Sequence, residues 1–373
     1  MSQTEQFDAA YLNDRMVNGF IAGRNVPERI ERAFRHTLRH NFLPGHDLEK
    51  AYLDDAVVTA WGEDGQEAVS SSSQPSLMAL MLAELDVQPG HRVLEIGTGT
   101  GYNAALLAVL AGSPSNVYSV DISAEYSAQA RSNLEAQGTI GVNVIVADGW
   151  HGWPDGAPYD RIIVTAGSYD VAPAWFDQLM DGGRIVMPWD YRAMTFVKHG
   201  ERLNLVSHSF CGFMRMRGEF DWQADVVEEL GEPDDPSNRT EVPLEGLPSE
   251  IAIRWDDLAF FLALYIWPRR AMSSWLGDNP DVKFVMVTHR EFRRVIFVRS
   301  DGRWRIDAAA GDDLVSTVSD LVHHWFDEGM PGPERLRMTA MRRKEDGYEA
   351  KMLNVISRKW FDYAVSWDAN RAV

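Results

Sequence analysis

The sequence contains a single cysteine, Cys211, among its 373 residues. One thiol cannot form an intramolecular disulfide, and such scarcity is typical of the reducing cytoplasm, where we expect this chain to act. Long apolar runs are also missing: no stretch approaches the roughly 20 residues that span a bilayer, so we expect no membrane segment. Residues 1–6 lack the basic and then apolar layout of a signal peptide.

Positive charge is scarce: 36 Lys and Arg residues stand against 55 Asp and Glu residues, for a net charge of −19. A nucleic acid is a polyanion and would be repelled, so we expect no nucleic-acid partner. A basic peptide partner remains open, and so does acidity that serves solubility alone. Hydrophobic residues make up 45% of the chain, enough for a full core. The length favours two domains.

A strand, a glycine turn and a helix are predicted in succession from residue 93. Residues 93–96 form an apolar run with β-favouring side chains, and residues 104–110 have the composition of a buried helix. Between them, Gly97, Gly99 and Gly101 allow backbone angles and close approaches that a Cβ would block. Because a helix N-terminus at such a turn offers N–H groups to a polar ligand, the pattern predicts a nucleotide-like cofactor.

The spacing of these glycines indicates which cofactor. A dinucleotide fingerprint is G-x-G-x-x-G, whereas this turn is G-x-G-x-G with Tyr102 in place of the third glycine. Glu95 lies two residues before the first glycine, where it would repel a pyrophosphate and attract a sulfonium or amino group. S-adenosylmethionine carries both cations and no phosphate. We therefore predict S-adenosyl-L-methionine as cofactor and S-adenosyl-L-homocysteine as product.

Three further predicted strands end near the same place. One ends at Asp121, whose carboxylate can accept both ribose hydroxyls; another ends at Asp148-Gly149, suited to the adenine edge; a third covers residues 159–166. Strand ends in register predict an α/β, doubly wound (Rossmann-like) sheet. The candidate cofactor-binding residues are Glu95, Gly97, Thr98, Gly99, Gly101, Asp121, Ile122, Asp148, Gly149 and Thr165.

Four consecutive serines, residues 70–73, precede Gln74-Pro75 and a predicted helix over residues 76–85. The run is either a flexible linker or a set of hydroxyl donors and an N-cap that receive an anion. Ser72 and Ser73 are the candidate catalytic residues. His36 and His40 have the spacing of a metal pair on one helical face, but no third ligand lies nearby, so we predict polar packing and no metal site.

Composition divides the chain into four parts. Residues 1–80 are predicted as a helical cap with a substrate-side loop, and residues 81–225 as the cofactor-binding core. Residues 226–250 are acidic and proline-rich, typical of a linker. Residues 251–373 are predicted as a smaller α+β accessory domain, whose many Trp, Phe and Arg side chains form either a core or a recognition groove.

Over residues of roughly 15–218 the chain resembles the protein L-isoaspartyl (D-aspartyl) O-methyltransferase family. The matching stretches follow the family's order: residues 39–44, 51–54, 71–75, 92–102, 148–154 and 159–166. The resemblance implies that Ser73 meets the substrate carboxylate. It also implies that S-adenosylmethionine contacts Glu95, Gly97, Gly99, Asp121, Asp148 and Gly149.

The chain departs from that family's pattern at several places. Ser71-Ser72-Ser73 replaces Thr-Ile-Ser, residues 165–169 replace Thr-Ala-Ala-Ala-Pro, and Asp121 stands where the family usually has Glu. The appended C-terminal module resembles a divergent branch associated with ribosomally made, modified peptides. This resemblance implies methylation of an aspartate in a modified ribosomal precursor peptide, with closure of the ester to an aspartimide and, on hydrolysis, isoaspartate.

Two other functions remain open at the level of the sequence. The chain is either such a peptide-modifying enzyme, a repair methyltransferase acting on isoaspartate in damaged proteins, or a non-catalytic cofactor-binding scaffold that recruits a peptide. A repair enzyme would accept short isoaspartyl peptides regardless of sequence. A scaffold would bind S-adenosylmethionine without turnover.

Overall fold

The structure, a computed structural model, divides into two compact units. It describes residues 8–23, 26–62, 65, 68–189, 192–220, 239–247, 255–266, 270–275, 283–288, 295–300, 303–309, 314–343 and 355–368. The first unit contains the described residues up to 220 together with two later segments, residues 339–343 and Arg358–Asp362. The second unit contains the other described residues. Two segments of the predicted accessory domain therefore belong to the first unit.

Helices form the N-terminal cap of the first unit: α1 (Ala9–Met16), α2 (Glu28–His36) and α3 (Leu48–Ala51). The helical spacing of His36 and His40 predicts one helix through both residues, and this is wrong, because α2 ends at His36 and Thr37 takes extended backbone angles. His40 lies instead in a 3₁₀ turn, with its Nδ1 2.7 Å from the Tyr52 hydroxyl. His36 and His40 therefore share no helical face, and the described residues contain no group of three or more potential metal ligands.

The serine run forms a strand. Strand β1 (Val57–Trp61) pairs antiparallel with β2 (Ala68–Ser72), and helix α4 (Pro75–Leu85) follows after Ser73 and Gln74. The linker interpretation of residues 70–73 is therefore wrong.

The centre of the first unit is the predicted α/β sheet. Its parallel strands are β3 (Val93–Ile96), β4 (Val117–Asp121), β5 (Asn143–Val146), β6 (Tyr159–Val164) and β7 (Leu179–Trp189), in the order β7-β6-β3-β4-β5. The helices are α5 (Tyr102–Ala111), α6 (Ala124–Gln137) and α7 (Pro173–Gln178). Since the strand order reverses at β3, the carboxyl end of β3 is the topological switch point where such sheets bind ligands. The doubly wound, Rossmann-like fold class is confirmed.

Antiparallel strands extend this sheet beyond β7. Strand β8 (Arg192–His199) pairs with β7, and β9 (Arg202–Phe210) pairs with β8.

The second unit has its own antiparallel sheet and helices. Its strands are β10 (Arg239–Pro243), β11 (Arg270–Trp275), β12 (Lys283–Thr288), β13 (Val295–Ser300) and β14 (Arg303–Ala309), in the order β10-β14-β13-β12-β11. Its helices are α8 (Trp255–Tyr265) and α9 (Leu314–Asp327). Residues 239–243, predicted as linker, are thus a strand; residues 226–238 and 248–250 lie outside the described residues.

Three strands close the chain: β15 (Leu336–Arg342), β16 (Val355–Ser357) and β17 (Phe361–Trp367). Within the first unit, Thr339, Ala340 and Met341 of β15 pair antiparallel with β9. None of the helices in the described ranges combines the length and the apolar character that crossing a bilayer requires.

The cap packs onto α5 through Tyr102. This side chain is buried, with its ring 6.1 Å from that of Phe34 and 5.3 Å from that of Phe42. The residue that stands in place of a third glycine therefore connects the cap to the start of α5.

Replacing Gly101 with alanine tests how closely α5 and α6 approach. Gly101 has φ +85°, and an added Cβ would lie 3.2 Å from the Ala130 Cβ and 3.3 Å from its carbonyl oxygen. Backbone strain and crowding together should lower the free energy of unfolding by about 3 kcal/mol, measured by urea denaturation. The control is Gly138→Ala, with φ +80° and nothing within 4 Å. Gly138→Ala should lower the free energy of unfolding by about 1 kcal/mol. Equal losses of stability in the two variants would contradict the argument that Ala130 crowds a side chain at position 101.

Candidate active site

The glycine turn lies at the carboxyl end of β3, between β4 and β6. Gly97 adopts φ +101°, and its N–H donates to the Val120 carbonyl at 2.8 Å. A Cβ on Gly97 would lie only 2.7 Å from the Thr165 Oγ1. The turn therefore requires glycine here to fit between the two neighbouring strand ends.

Thr165 holds the turn from the side of β6. Its Oγ1 lies 3.0 Å from the Ile96 carbonyl oxygen and 2.8 Å from the Gly97 carbonyl oxygen, so its one proton is shared between them. The backbone N–H of Thr165 also donates to the Ile96 carbonyl, at 2.9 Å. The structure brings this predicted cofactor residue to the turn, where it binds the backbone.

Glu95 lies beneath the turn and is fully buried. One carboxylate oxygen accepts a hydrogen bond from the Asn103 Nδ2 at 2.7 Å, and the other accepts from the Ser119 hydroxyl at 2.5 Å. The Thr98 hydroxyl lies 2.7 Å from the Ser119 hydroxyl. We call these four residues the Glu95 network. Ser119 and Asn103 were missed at the level of the sequence, although a serine inside an apolar strand was a signal.

Burial raises the pKa of Glu95 to about 7. The hydrogen bonds from Ser119 and Asn103 lower this pKa, and the nearby charge of Asp121 raises it. Near neutral pH the carboxyl group therefore exchanges between its neutral and charged forms. A cation bound next to the turn would favour the charged form.

Asp121 is held at the end of β4 by two backbone N–H groups. Its Oδ2 accepts from Gly99 at 3.0 Å, and its Oδ1 accepts from Ser123 at 2.9 Å. A carboxylate has about four acceptor sites, so two further hydrogen bonds remain available to hydroxyl groups of a ligand. Ile122 follows immediately, and its side chain is 41% exposed.

Asp148 and Gly149 lie at the end of β5. The Asp148 Oδ1 accepts from the Trp150 N–H, and its Oδ2 accepts from the Glu219 N–H, both at 2.8 Å. A Cβ on Gly149 would lie 2.5 Å from the Ile96 Cγ2, so only glycine fits against β3. The connection of Asp148 to Glu219, far along the chain, could not be read from the local pattern.

The serine strand touches the glycine turn. The Ser71 carbonyl oxygen lies 3.6 Å from the position that a Cβ on Gly99 would occupy. Ser72 is 3% exposed, and its buried Oγ forms no hydrogen bond with any part of the chain that the structure describes. Ser73 is half-buried and follows β2 directly. The structure thus brings the predicted substrate segment and the predicted cofactor segment together.

A buried arginine positions the serine strand, and the sequence had assigned it no role. The Arg39 guanidinium is fully buried and donates hydrogen bonds of 2.9–3.1 Å to five backbone carbonyls. These carbonyls belong to Ala51, Leu53, Asp55, Ser72 and Ser73. Burial lowers the pKa of Arg39, while the charges of Tyr102, Asp54 and Asp55 oppose this shift. One buried guanidinium therefore holds residues 51–55 next to the end of the serine strand. No local sequence pattern predicts these contacts.

The start of α4 is capped by a distant aspartate. The Asp54 Oδ1 accepts from the Ser76 N–H at 2.8 Å, and its Oδ2 accepts from the Gln74 Nε2 at 3.1 Å. The N-cap residue Gln74 makes no side-chain cap of its own. The prediction that the serines supply the N-cap is therefore wrong, because their strand ends before the helix begins.

The residues at the switch point fit S-adenosylmethionine. Carboxylates stand at or just beyond the ends of three adjacent strands: Glu95 in β3, Asp121 in β4 and Asp148 after β5. Such a donor set suits a ligand with positive charge and hydroxyl groups and disfavours a pyrophosphate. The positive φ angles of Gly97, Gly99 and Gly101 open the backbone at the N-terminus of α5.

Comparison with known proteins decides the family. Residues 12–209 match the family described as Protein-L-isoaspartate(D-aspartate) O-methyltransferase. The enzyme of that name from Methanoculleus marisnigri is 37% identical over 218 residues, which cover 57% of this chain and 94% of the relative. The chain belongs to the protein-L-isoaspartate (D-aspartate) O-methyltransferase family. It is therefore an S-adenosylmethionine-dependent protein carboxyl O-methyltransferase.

Two further relatives bear on the C-terminal part of this methyltransferase. The Thermotoga maritima protein-L-isoaspartate O-methyltransferase is 42% identical over 164 residues, which cover 44% of this chain and 51% of that protein. A solved structure of a protein-L-isoaspartate O-methyltransferase aligns with 95% of this chain and 99% of its own, with a TM-score of 0.56 and 25% identity. A solved enzyme of this family therefore aligns with the C-terminal part of the chain as well as with the methyltransferase core.

Glu95 should make stability depend on pH. Its folded pKa of about 7 exceeds the ordinary value of 4.5, so the folded state binds more protons between these values. The free energy of unfolding should therefore fall by about 3 kcal/mol as the pH rises through this window. Urea denaturation at pH 5 and pH 8 measures the change, and Glu95→Gln should remove most of it. Glu135→Gln, at an exposed position of α6, is the control; an equal pH effect in Glu95→Gln and wild type would contradict the argument.

Arg39→Lys should destabilise the first unit strongly. Lysine has no planar fork, so several of the buried carbonyls would lose their donor, at about 1–3 kcal/mol each. We expect the free energy of unfolding to fall by at least about 3 kcal/mol in urea denaturation. Arg35→Lys is the matched control: Arg35 forms an exposed ion pair with Asp14 at 2.7 Å and should change stability by less than about 1 kcal/mol. Similar losses in both variants would refute the positioning role of Arg39.

Proposed function

We propose that this methyltransferase esterifies an aspartate side chain in a modified ribosomal precursor peptide and that the ester then closes to an aspartimide. One observation carries the proposal: two of the departures from the family pattern, residues 71–73 and 165–169, lie at the carboxyl edge of the sheet. Ser71, in the first, lies against Gly99 of the cofactor turn. Gly167, in the second, follows β6 and pairs with Arg215 in an isolated bridge. Departures in the two segments that border the substrate side favour an altered substrate.

Methyl transfer to a carboxylate depends on the position of the carboxylate and not on a general base. A carboxylate with a pKa near 4 is already ionised at neutral pH, so it needs no general base. When bound, S-adenosylmethionine supplies the methyl group on a sulfonium sulfur. The chain must hold the carboxylate oxygen in line with the bond between the methyl group and the sulfur, and it must exclude water. Such placement can lower the activation free energy by ~7–11 kcal/mol.

Ser73 and Ser72 are assigned to hold the substrate carboxylate. The buried Ser72 hydroxyl has no hydrogen-bond partner among the residues that the structure describes, so its O–H is available to donate. Arg39 fixes the carbonyls of both serines, which sets the direction of their side chains. Hydrogen bonds to one carboxylate oxygen leave the other oxygen for the methyl group.

The cofactor contacts are assigned by chemistry. Asp121 accepts the ribose hydroxyls, while Ile122, Asp148 and Gly149 line the adenine site. The turn residues Gly97, Thr98, Gly99 and Gly101 border the methionine part, and Thr165 supports them from β6. Glu95 acts from beneath the turn through its charge, which a bound cation favours.

The aspartimide forms without an enzyme group. The backbone nitrogen of the residue after the esterified aspartate attacks the ester carbonyl, and methanol leaves as the five-membered ring closes. Water can then open the ring to isoaspartate. The product therefore depends on how well the peptide protects the ring.

Repair of isoaspartate in damaged proteins is the second candidate function. The names of the relatives favour it, and so does the solved enzyme that aligns with nearly the whole chain. The third alternative, a non-catalytic scaffold, has no support from the family.

Mass spectrometry separates the two enzymatic functions. One sample would contain the protein, S-adenosylmethionine and a generic isoaspartyl peptide; the other would contain a modified precursor peptide encoded beside this protein. Loss of one water from the precursor through a transient methyl ester would support the aspartimide proposal. Methylation of the generic peptide alone would replace it with the repair function.

Ser73→Ala should reduce methylation without unfolding the protein. Loss of one charge-assisted hydrogen bond is worth about 1.5–3 kcal/mol, so kcat/KM should fall roughly 10- to 150-fold. The measurement is methyl transfer from labelled S-adenosylmethionine, with thermal denaturation to verify folding. Ser115→Ala, an exposed serine paired with Ser113, should leave the rate unchanged. Full activity in Ser73→Ala would remove this serine from the mechanism.

A further inference from the structure

A segment after β9 crosses the carboxyl edge of the sheet. We call residues 214–220 the strap. It begins beside the loop after β6, where the Gly167 N–H donates to the Met214 carbonyl at 2.6 Å and the Met216 N–H donates to the Gly167 carbonyl at 3.0 Å. The strap is therefore bound at the substrate side of the sheet.

The strap continues to the cofactor side. The Arg217 guanidinium lies 6.0 Å from the centre of the Tyr126 ring in α6, which follows β4. The Glu219 N–H then donates to Asp148 after β5. Gly218, at φ +80°, has no room for a Cβ, which would lie 2.2 Å from the Asp148 Oδ2. The strap thus contacts residues beyond the ends of β6, β4 and β5 on either side of the glycine turn.

An aromatic cluster holds the end of the strap. Phe220 is fully buried, and its ring stacks on that of Trp175 at 5.4 Å. The ring of Trp360 lies 5.2 Å from Phe220 and 5.7 Å from Trp150, the residue after Gly149. Trp175 also donates its indole N–H to the Gly149 carbonyl at 2.7 Å. The cluster therefore connects the strap to the turn that carries Asp148 and Gly149.

Trp360 also holds the loop after β6. Its backbone N–H donates to the Asp170 Oδ2 at 2.7 Å, while the Asp170 Oδ1 accepts from the Val171 N–H at 2.9 Å. Asp170 is fully buried and follows Tyr169, the last residue of the second departure from the family pattern. One residue from the C-terminal part of the chain thus contacts both the substrate loop and the support of the strap.

Neighbouring contacts hold Trp360 in place within the first unit. The Arg343 N–H donates to the Trp360 carbonyl at 2.8 Å. The ring of Phe361 lies 5.6 Å from that of Phe176 in α7, and Arg342 forms an ion pair with Asp177 of the same helix at 2.8 Å. Helix α7 directly follows the Asp170 loop, so these contacts brace the same part of the sheet edge.

We propose that Trp360 is a positioning residue for the methyl-transfer site. Its indole, through Phe220 and Trp150, sets the strap and the Asp148 turn for the cofactor. Its N–H, through Asp170, sets the substrate loop. The proposal rests on the family's reaction and on the cofactor site, and it does not depend on which carboxylate is methylated.

The test compares Trp360→Leu with Trp325→Leu in the full chain. Trp325 is a buried tryptophan in the core of the second unit, so its loss measures general destabilisation. Calorimetry with S-adenosyl-L-homocysteine should show at least a tenfold rise in Kd for Trp360→Leu and less than a twofold rise for Trp325→Leu. Wild-type affinity in Trp360→Leu, or equal losses in both variants, would overturn the proposal.

A second variant covers the case in which Trp360→Leu does not fold. Asp170→Asn keeps the aromatic cluster and removes one carboxylate acceptor. Hydrogen exchange should speed up in residues 165–173 and stay near the wild-type rate in the strap. The KM for whichever of the two test peptides the wild type methylates should rise more than the Kd for S-adenosyl-L-homocysteine. Unchanged exchange in residues 165–173 would overturn the role of the Trp360 N–H. Because calorimetry needs no methyl acceptor, failure of the aspartimide proposal would leave the cofactor result intact.

Discussion

The site depends on one buried carboxylate. Glu95 joins β3, β4 and the start of α5 through hydrogen bonds from Ser119 and Asn103, and Thr98 extends these bonds into the glycine turn. A half-satisfied carboxylate in this position would be costly, so the partners must stay in register. The arrangement places negative charge under a turn whose ligand is positively charged. Fold and cofactor preference thus follow from the same group.

Much of this part of the molecule could be predicted from the sequence. Three apolar strands can be recognised from the local sequence, because hydrophobic periodicity and turn residues mark them. They end in Glu95-x-Gly97, in Asp121 and in Asp148-Gly149. Parallel strands must then align their carboxyl ends at the switch point. For this reason the parallel strands and the acids at or just beyond their carboxyl ends were predicted almost as the structure has them.

The supports of the site could not be predicted in the same way. Arg39 binds backbone carbonyls, and Asp54 caps a helix more than 20 residues away along the chain. Asp148 accepts from Glu219, 71 residues later. Backbone donors and acceptors leave no trace in side-chain patterns, so none of these contacts has a local sequence signature. The serine run misled for a related reason: composition suggested a linker or cap, whereas pairing with β1 made it a strand.

The return of residues 339–343 and Arg358–Asp362 to the first unit has a consequence for biosynthesis. A ribosome delivers the glycine turn, the serine strand and the strap long before it delivers these segments. The first unit is therefore completed only after residue 362 has been made. Until then Phe176 lacks its contact with Phe361, and Asp170 lacks the hydrogen bond from the Trp360 N–H. Helix α7 and the Asp170 loop therefore reach their final packing only after the C-terminal segments have been synthesised.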